Sequence, residues 1–228
     1  MMYVANARAR RTLSILIPAV LIPTVVIAGA FIPGKTSYLW VSLAVAVLSL
    51  LLFIAGFEKR EIGTRRSVLV SDMIALCIVG RLIPFFKPVT ALVVLCAIYL
   101  GAQAGFYTGA LAALLSNFIF GQGPWTPFQM LAWGLIGLFA GIFSGPLQKS
   151  RVLLLLYGAL AGVAYSAVMD VWSMLWMTGS PDPSAYLSAL ITALPHTALY
   201  VVSNLLFLFL CAKPIGDKLQ RIKIKYGV

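Results

Sequence analysis

The chain has 228 residues, 61% of them hydrophobic and 10% charged, with a mean hydropathy of +1.00 and a formal net charge of +11. That leaves too little polar side chain to cover a soluble domain, so an ordinary soluble protein is excluded and a polytopic membrane protein is implied. The positive charge does not speak for nucleic acid: the basic residues sit in short loops and at both ends of the sequence, where membrane orientation accounts for them.

In chain order the apolar runs are 13–32, 38–57, 67–84, 88–101, 102–120, 128–144, 152–177 and 187–211. The first follows a positive start like that of a signal peptide, but its spanning length predicts that it is retained. The fourth is shorter than the roughly 20 residues a full span needs. Fusing it with the fifth gives seven spans, and charge placement decides against that count. Eight spans with both ends inside put fourteen of the 17 Lys and Arg on the inner side and leave only Lys35, Arg81 and Lys87 outside. Seven spans would put most of them outside, against the positive-inside rule. The short fourth span, beside the Gly101 to Gly105 turn, then becomes informative, because short or broken spans in transporters often border the binding site.

Small residues recur at every fourth position in three stripes: Gly101, Gly105, Gly109; Gly137, Gly141, Gly145; and Gly158, Gly162, Ser166. Such stripes let helix backbones approach closely, and compact packing accounts for them in full. Ser71 and Ala75 form a further small pair on the cytoplasmic half of the third span, beside Asp72. Cys77, Cys96 and Cys211 lie in apolar runs without metal-ligand spacing, so no disulfide framework, metal site or cofactor is expected.

Polar groups inside apolar runs are costly and therefore informative. In the last span Thr192, His196, Tyr200 and Asn204 are spaced by four and are expected on one face. Asp170, on the Gly158, Gly162, Ser166 face, is expected at the depth of His196, close enough to pair. Asn117 and Arg81 fall toward the outer ends of their spans. The string Gly121-Gln122-Gly123-Pro124-Trp125-Thr126-Pro127-Phe128-Gln129-Met130, polar, aromatic and locked by proline, is poor lipid-facing material and belongs at a membrane face or a cavity. Together these predict an outward-facing site for a partly polar ligand, walled by Trp125, Trp133, Trp172, Trp176 and Phe85 or Phe86.

Several chemistries are missing. Gly145 to Ser150 lacks the second glycine of a phosphate loop, H-E-x-x-H and G-x-S-x-G are absent, and Asp170 is the only acid deep in a span. A self-powered transporter is not expected.

The residues Arg81, Pro84-Phe85-Phe86-Lys87-Pro88-Val89-Thr90-Ala91-Leu92, Gly101-Ala102-Gln103-Ala104-Gly105-Phe106, Gly109-Ala110-Leu111, Ser116-Asn117, Gly121 to Met130 and Ala132-Trp133-Gly134 form a pattern. It resembles the substrate-binding S components of energy-coupling factor (ECF) vitamin transporters, closest to the cobalamin-type branch. The resemblance implies a six-helix core that captures a vitamin at the outer face, with cobalamin or another corrinoid as the leading expectation. A membrane coupling subunit and two cytoplasmic ATPase subunits would drive uptake. It further implies that Ser71 and Ala75 contact the coupling subunit, with Ser in place of the first Ala of A-x-x-x-A, and that 85–89 is a mobile outer loop over the ligand.

The expectation is thus an all-α, eight-span, multi-pass protein of the plasma membrane with both termini cytoplasmic. It is organised as a two-span extension (1–66), a six-helix core (67–212) and a basic cytoplasmic tail (213–228). The expected ligand contacts are Trp125, Gln129, Trp133, Asn117, Asp170, His196, Tyr200 and Phe86. The alternatives are a membrane enzyme for a lipid-linked substrate, with His196 and Asp170 as acid and base, and a non-catalytic scaffold.

Overall fold

The computed structural model describes residues 64–179 and 182–226, with isolated positions between 20 and 47. Those isolated positions apart, the expected spans 13–32 and 38–57, and hence the N-terminal extension, lie outside the described residues. Every element described is an α-helix: α1 (Thr64–Gly80), α2 (Val89–Leu100), α3 (Ala102–Phe120), α4 (Thr126–Ile142), α5 (Ser144–Lys149), α6 (Arg151–Thr178) and α7 (Pro183–Tyr226). Apart from the six-residue α5, each is twelve residues or longer. Among them α6 and α7 are long and apolar enough to cross a membrane, and α2 and α4 are apolar but shorter.

On α1 the apolar residues at helical spacing, Val70, Met73, Ile74 and Cys77, turn inward, whereas Val68, Ser71, Asp72, Ala75, Leu76 and Val79 are exposed. Gly105, Gly109, Gly137 and Gly141 of the stripes sit where two backbones touch. A Cβ on Gly137 would come within 2.3 Å of the Gly105 carbonyl, one on Gly109 within 2.3 Å of the Trp133 carbonyl, and one on Gly141 within 2.2 Å of Ala102 Cα, so the first half of α3 and the second half of α4 are in backbone contact. Gly162 likewise admits the backbone of Val201, joining α6 to α7.

The brevity of α2 sets up the site. Cys77 faces the start of α2, its Sγ 3.9 Å from the Val89 carbonyl, and Arg66 reaches the Leu100 carbonyl at the other end. Twelve residues make a helix of only about 18 Å. Its N-terminal end lies in mid-bundle, since Ser203 Oγ, about 30 Å along α7 from Pro183, donates to the Lys87 carbonyl at 2.9 Å. The column above α2 is left to the 81–88 loop and to polar side chains of α3, α4, α6 and α7.

The C-terminal end of α2 is held from three sides. A helix leaves its last carbonyls without intrahelical partners. Here the Ile98, Tyr99 and Leu100 carbonyls accept from Gln148 Nε2 of α5, Lys223 Nζ of α7 (3.3 Å) and Arg66 of α1, and the two cations also suit the negative end of the helix dipole. Gly101, at φ 95°, ends α2 and starts α3, a corner that glycine takes without steric cost.

One boundary is corrected. The last apolar run ends at Cys211, but α7 continues unbroken through the expected tail to Tyr226. The polar residues there disguise an amphipathic helix: Ile215, Gly216, Leu219 and Ile222 keep helical spacing and are buried or half-buried. Gly216 lies so close to Tyr99 that a Cβ would fall 2.3 Å from its hydroxyl.

Candidate ligand-binding site

The site starts where α1 stops. Arg81, the first residue past that helix, still donates its backbone N–H to the Cys77 carbonyl (3.1 Å), which directs its side chain into the bundle. Its Nη1 donates to Asn117 Oδ1 at 2.7 Å and to Ser116 Oγ, and the guanidinium carbon lies 4.8 Å from the ring centre of Phe120 and 5.4 Å from that of Trp133. Amide, hydroxyl and aromatic faces thus surround the cation.

Asn117, 1% exposed, is the branch point. Its Nδ2 donates to Thr126 Oγ1 (2.9 Å) and Gln129 Oε1 (2.8 Å), and Gln129 Nε2 donates to Tyr165 Oη (3.1 Å). Thr126 Oγ1 donates in turn to Gln122 Oε1 (2.9 Å), and Gln122 Nε2 donates to the Leu114 carbonyl (2.9 Å). The polar string between α3 and α4 is folded back onto the end of α3, satisfying groups that lipid could not. Tyr165 closes the layer with rings, stacked on Trp133 (centroids 5.0 Å, 17°) and meeting Tyr200 edge-on (4.8 Å, 69°).

A second tier lies outward along α6. Trp125, half-buried, meets Trp172 edge-on (5.8 Å, 78°), and Trp172 stacks on Trp176 (6.3 Å, 26°). Trp125 folds back over Gly123, where a Cβ would fall 2.2 Å from the ring, so no larger residue fits without moving the indole. Asp170, 6% exposed, buries an Oδ2 without a hydrogen-bond partner, and Trp172 Nε1 is likewise buried and unpartnered. Such groups cost about 1–3 kcal/mol each when unmet, which an incoming polar ligand would recover.

Of the expected contacts, Asn117, Gln129, Trp133 and Tyr200 are brought together, directly or through Tyr165. Trp125 and Asp170 belong to the tier above. Phe86 is half-buried in the 81–88 loop, its N–H 2.6 Å from the Pro84 carbonyl. Beside it Phe85 is 75% exposed at φ 61°, a left-handed conformation rarely taken by an aromatic residue. Ser71 and Ala75 are exposed on the outward face of α1.

His196 is a correction. It is exposed, as is Thr192, and Asp170 Oδ2 has no partner, so the expected pair does not form. A step of four residues advances an α-helix by about 40° beyond a full turn, so a row spaced by four winds around the helix. Asn204 faces inward and donates to the Gly158 carbonyl (3.0 Å), whereas Thr192 and His196 have turned away. The inward position is taken by Thr197, whose hydroxyl meets Ser166 Oγ at 2.5 Å. The acid–base pair on which the enzyme alternative depended is not assembled.

Sequence reasoning left Arg81, Ser116, Thr126 and Tyr165 out of the contact set. Arg81 was visible as a lone cation at a span end. Tyr165 had no signal beyond a phenol inside an apolar run. The layer combines aromatic ring faces with hydrogen-bond donors and acceptors at its edge.

A family model for the S component of the ECF-type riboflavin transporter matches residues 61–213. No curated protein and no solved structure matches the chain. The family match agrees with the S-component resemblance carried by Arg81 to Gly134 and lends no support to its cobalamin-type branch.

Proposed function

The chain belongs to the family of S components of ECF-type riboflavin transporters, and from that premise we propose that it captures riboflavin, or a similarly flat vitamin, at the outer membrane face and delivers it inward. As an S component it is the substrate-binding membrane subunit of a transporter, working with an ECF module. In this reading a coupling subunit docks on the Ser71 and Ala75 face of α1, and two cytoplasmic ATPases power uptake. The core is flanked by the N-terminal extension (1–66) and the basic inner end of α7.

The observation that supports this reading best is the buried relay from Arg81 through Asn117 and Gln129 to Tyr165, with Trp133 and Tyr200 against the Tyr165 ring. A polar edge beside stacked rings fits an isoalloxazine, whose faces are apolar and whose dione edge accepts and donates hydrogen bonds. Asn117, Gln129 and Asp170 serve the polar edge, Trp125, Trp133 and Tyr200 the ring faces, and Phe86 the loop above.

The test is to purify the protein from cells grown with both vitamins, denature it, and identify the released small molecule by mass spectrometry. Riboflavin in near-stoichiometric amount is expected. Recovery of a corrinoid, the ligand first expected from the sequence, combined with failure to bind added riboflavin, would reverse the substrate assignment.

A further inference from the structure

We propose that Arg81 is the specificity-determining donor of this site, its Nε–H reserved for a carbonyl oxygen on the edge of a ring whose imide ionises more readily once bound. The inference rests on the proposed flavin-type site and adds which edge of the ligand is read and by which group.

Three observations carry it. Nη1 is committed to Ser116 Oγ and Asn117 Oδ1, so the guanidinium is oriented before any ligand arrives. Nε is buried and has no hydrogen-bond partner, leaving an N–H deprived of both water and protein. No carboxylate pairs with the cation among the described residues: its partners are Ser116, Asn117 and the faces of Phe120 and Trp133. The titratable side chains of that layer are the phenols of Tyr165 on α6 and Tyr200 on α7, with Lys87 in the loop, and none of them is a carboxylate.

A buried cation without a counter-charge favours a ligand that supplies electron density. An isoalloxazine offers two carbonyl oxygens flanking an imide N–H. Held against Arg81, the imide loses its proton to solvent at lower pH, because a neighbouring positive charge stabilises the anion. That acidification separates a ligand-reading Arg81 from one that merely braces α1 against α3.

The experiment follows the visible absorption of riboflavin bound to the purified protein across the alkaline range, where phenol ionisation of Tyr165 and Tyr200 does not overlap the flavin band. In the wild type the bound imide is expected to titrate at lower pH than free riboflavin, and in Arg81→Met at higher pH than free riboflavin. Arg81→Lys, which keeps the charge and loses the fork, keeps part of the shift with about tenfold weaker binding. Lys87→Met leaves the shift in place. Should Arg81→Met not fold, the wild-type titration alone decides. Riboflavin bound to the wild type but titrating at or above the pH of the free vitamin would overturn the Arg81 assignment and leave the transport reading standing. No riboflavin binding by the wild type would overturn both.

Discussion

Asn117 fixes which way Gln129 points. By donating Nδ2 to Gln129 Oε1 at 2.8 Å, it directs the other end of that amide, Nε2, at Tyr165 Oη 3.1 Å away. The same Asn117 accepts from Arg81, so one side chain couples α1, α3, α4 and α6.

Asn117→Leu, similar in volume, should therefore strip partners from Arg81, Thr126 and Gln129 at once. The expected loss is about 1–3 kcal/mol of stability for each buried group left unmet, and ligand affinity should fall at least tenfold. Thermal unfolding in detergent and a binding titration check both. Unchanged melting would mean that the relay is not held through Asn117.

His196→Ala should leave riboflavin capture within about twofold of wild type, because the imidazole is exposed and does not hydrogen-bond the buried Asp170 Oδ2. Asp170→Asn should instead weaken capture, since its buried Oδ2 awaits a partner. A His196 variant that lost binding while Asp170→Asn kept it would reverse these roles.

The His196 case shows where sequence reading reaches its limit. The short α2, the glycine stripes and the Gly121 to Met130 string were all legible, because each is a local signal: run length, residue size, loss of hydropathy. Spacing by four was read as one face, but its 40° drift per step could be resolved only by seeing which of Thr192, His196, Thr197 and Asn204 meets α6. Tyr165 was illegible for the opposite reason: its role comes from Gln129, Trp133 and Tyr200 on two other helices. The inner part of α7 was hidden by composition, its lysines masking the stripe that packs near Tyr99.

Gly137→Val should destabilise the ligand-free protein by at least the 1–3 kcal/mol typical of an overfilled core, because the added Cβ would fall 2.3 Å from the Gly105 carbonyl and backbone cannot step aside as a side chain can. Gly145→Ala is the matched control, as nothing lies within 4 Å of a Cβ there. Equal melting of the two variants would refute backbone contact between α3 and α4.

Ala75→Trp should abolish co-purification with an ECF module while leaving riboflavin binding intact. Ala75 lies with Ser71 on the exposed face of α1, turned away from the Arg81 layer, so an indole there obstructs a partner and not the ligand. Uptake and complex formation that survived the change would remove this face from consideration as the coupling surface.

The start of α7 gives a pH prediction. The Asp182 carboxylate accepts from Ser184 Oγ (2.7 Å) and from the N–H groups of Ser184 (2.8 Å) and Ala185 (3.2 Å), capping a helix start whose donors have no intrahelical partners. The Ser184 hydroxyl, followed by the backbone donors, holds this carboxyl below the usual carboxylate range. A depressed folded-state pKa stabilises above the unfolded value, near about 3.9, and that contribution disappears as pH falls through the lower folded value. Acidification through that window should therefore fray the first turn of α7, read as a lower protection of the Ser184 and Ala185 amides relative to their intrinsic exchange rate at each pH. Asp182→Asn should keep the cap and lose the pH dependence, whereas Asp182→Ala should fray at every pH. Protection of those two amides that stayed constant with acid in the wild type would show that the carboxylate is not what holds the turn.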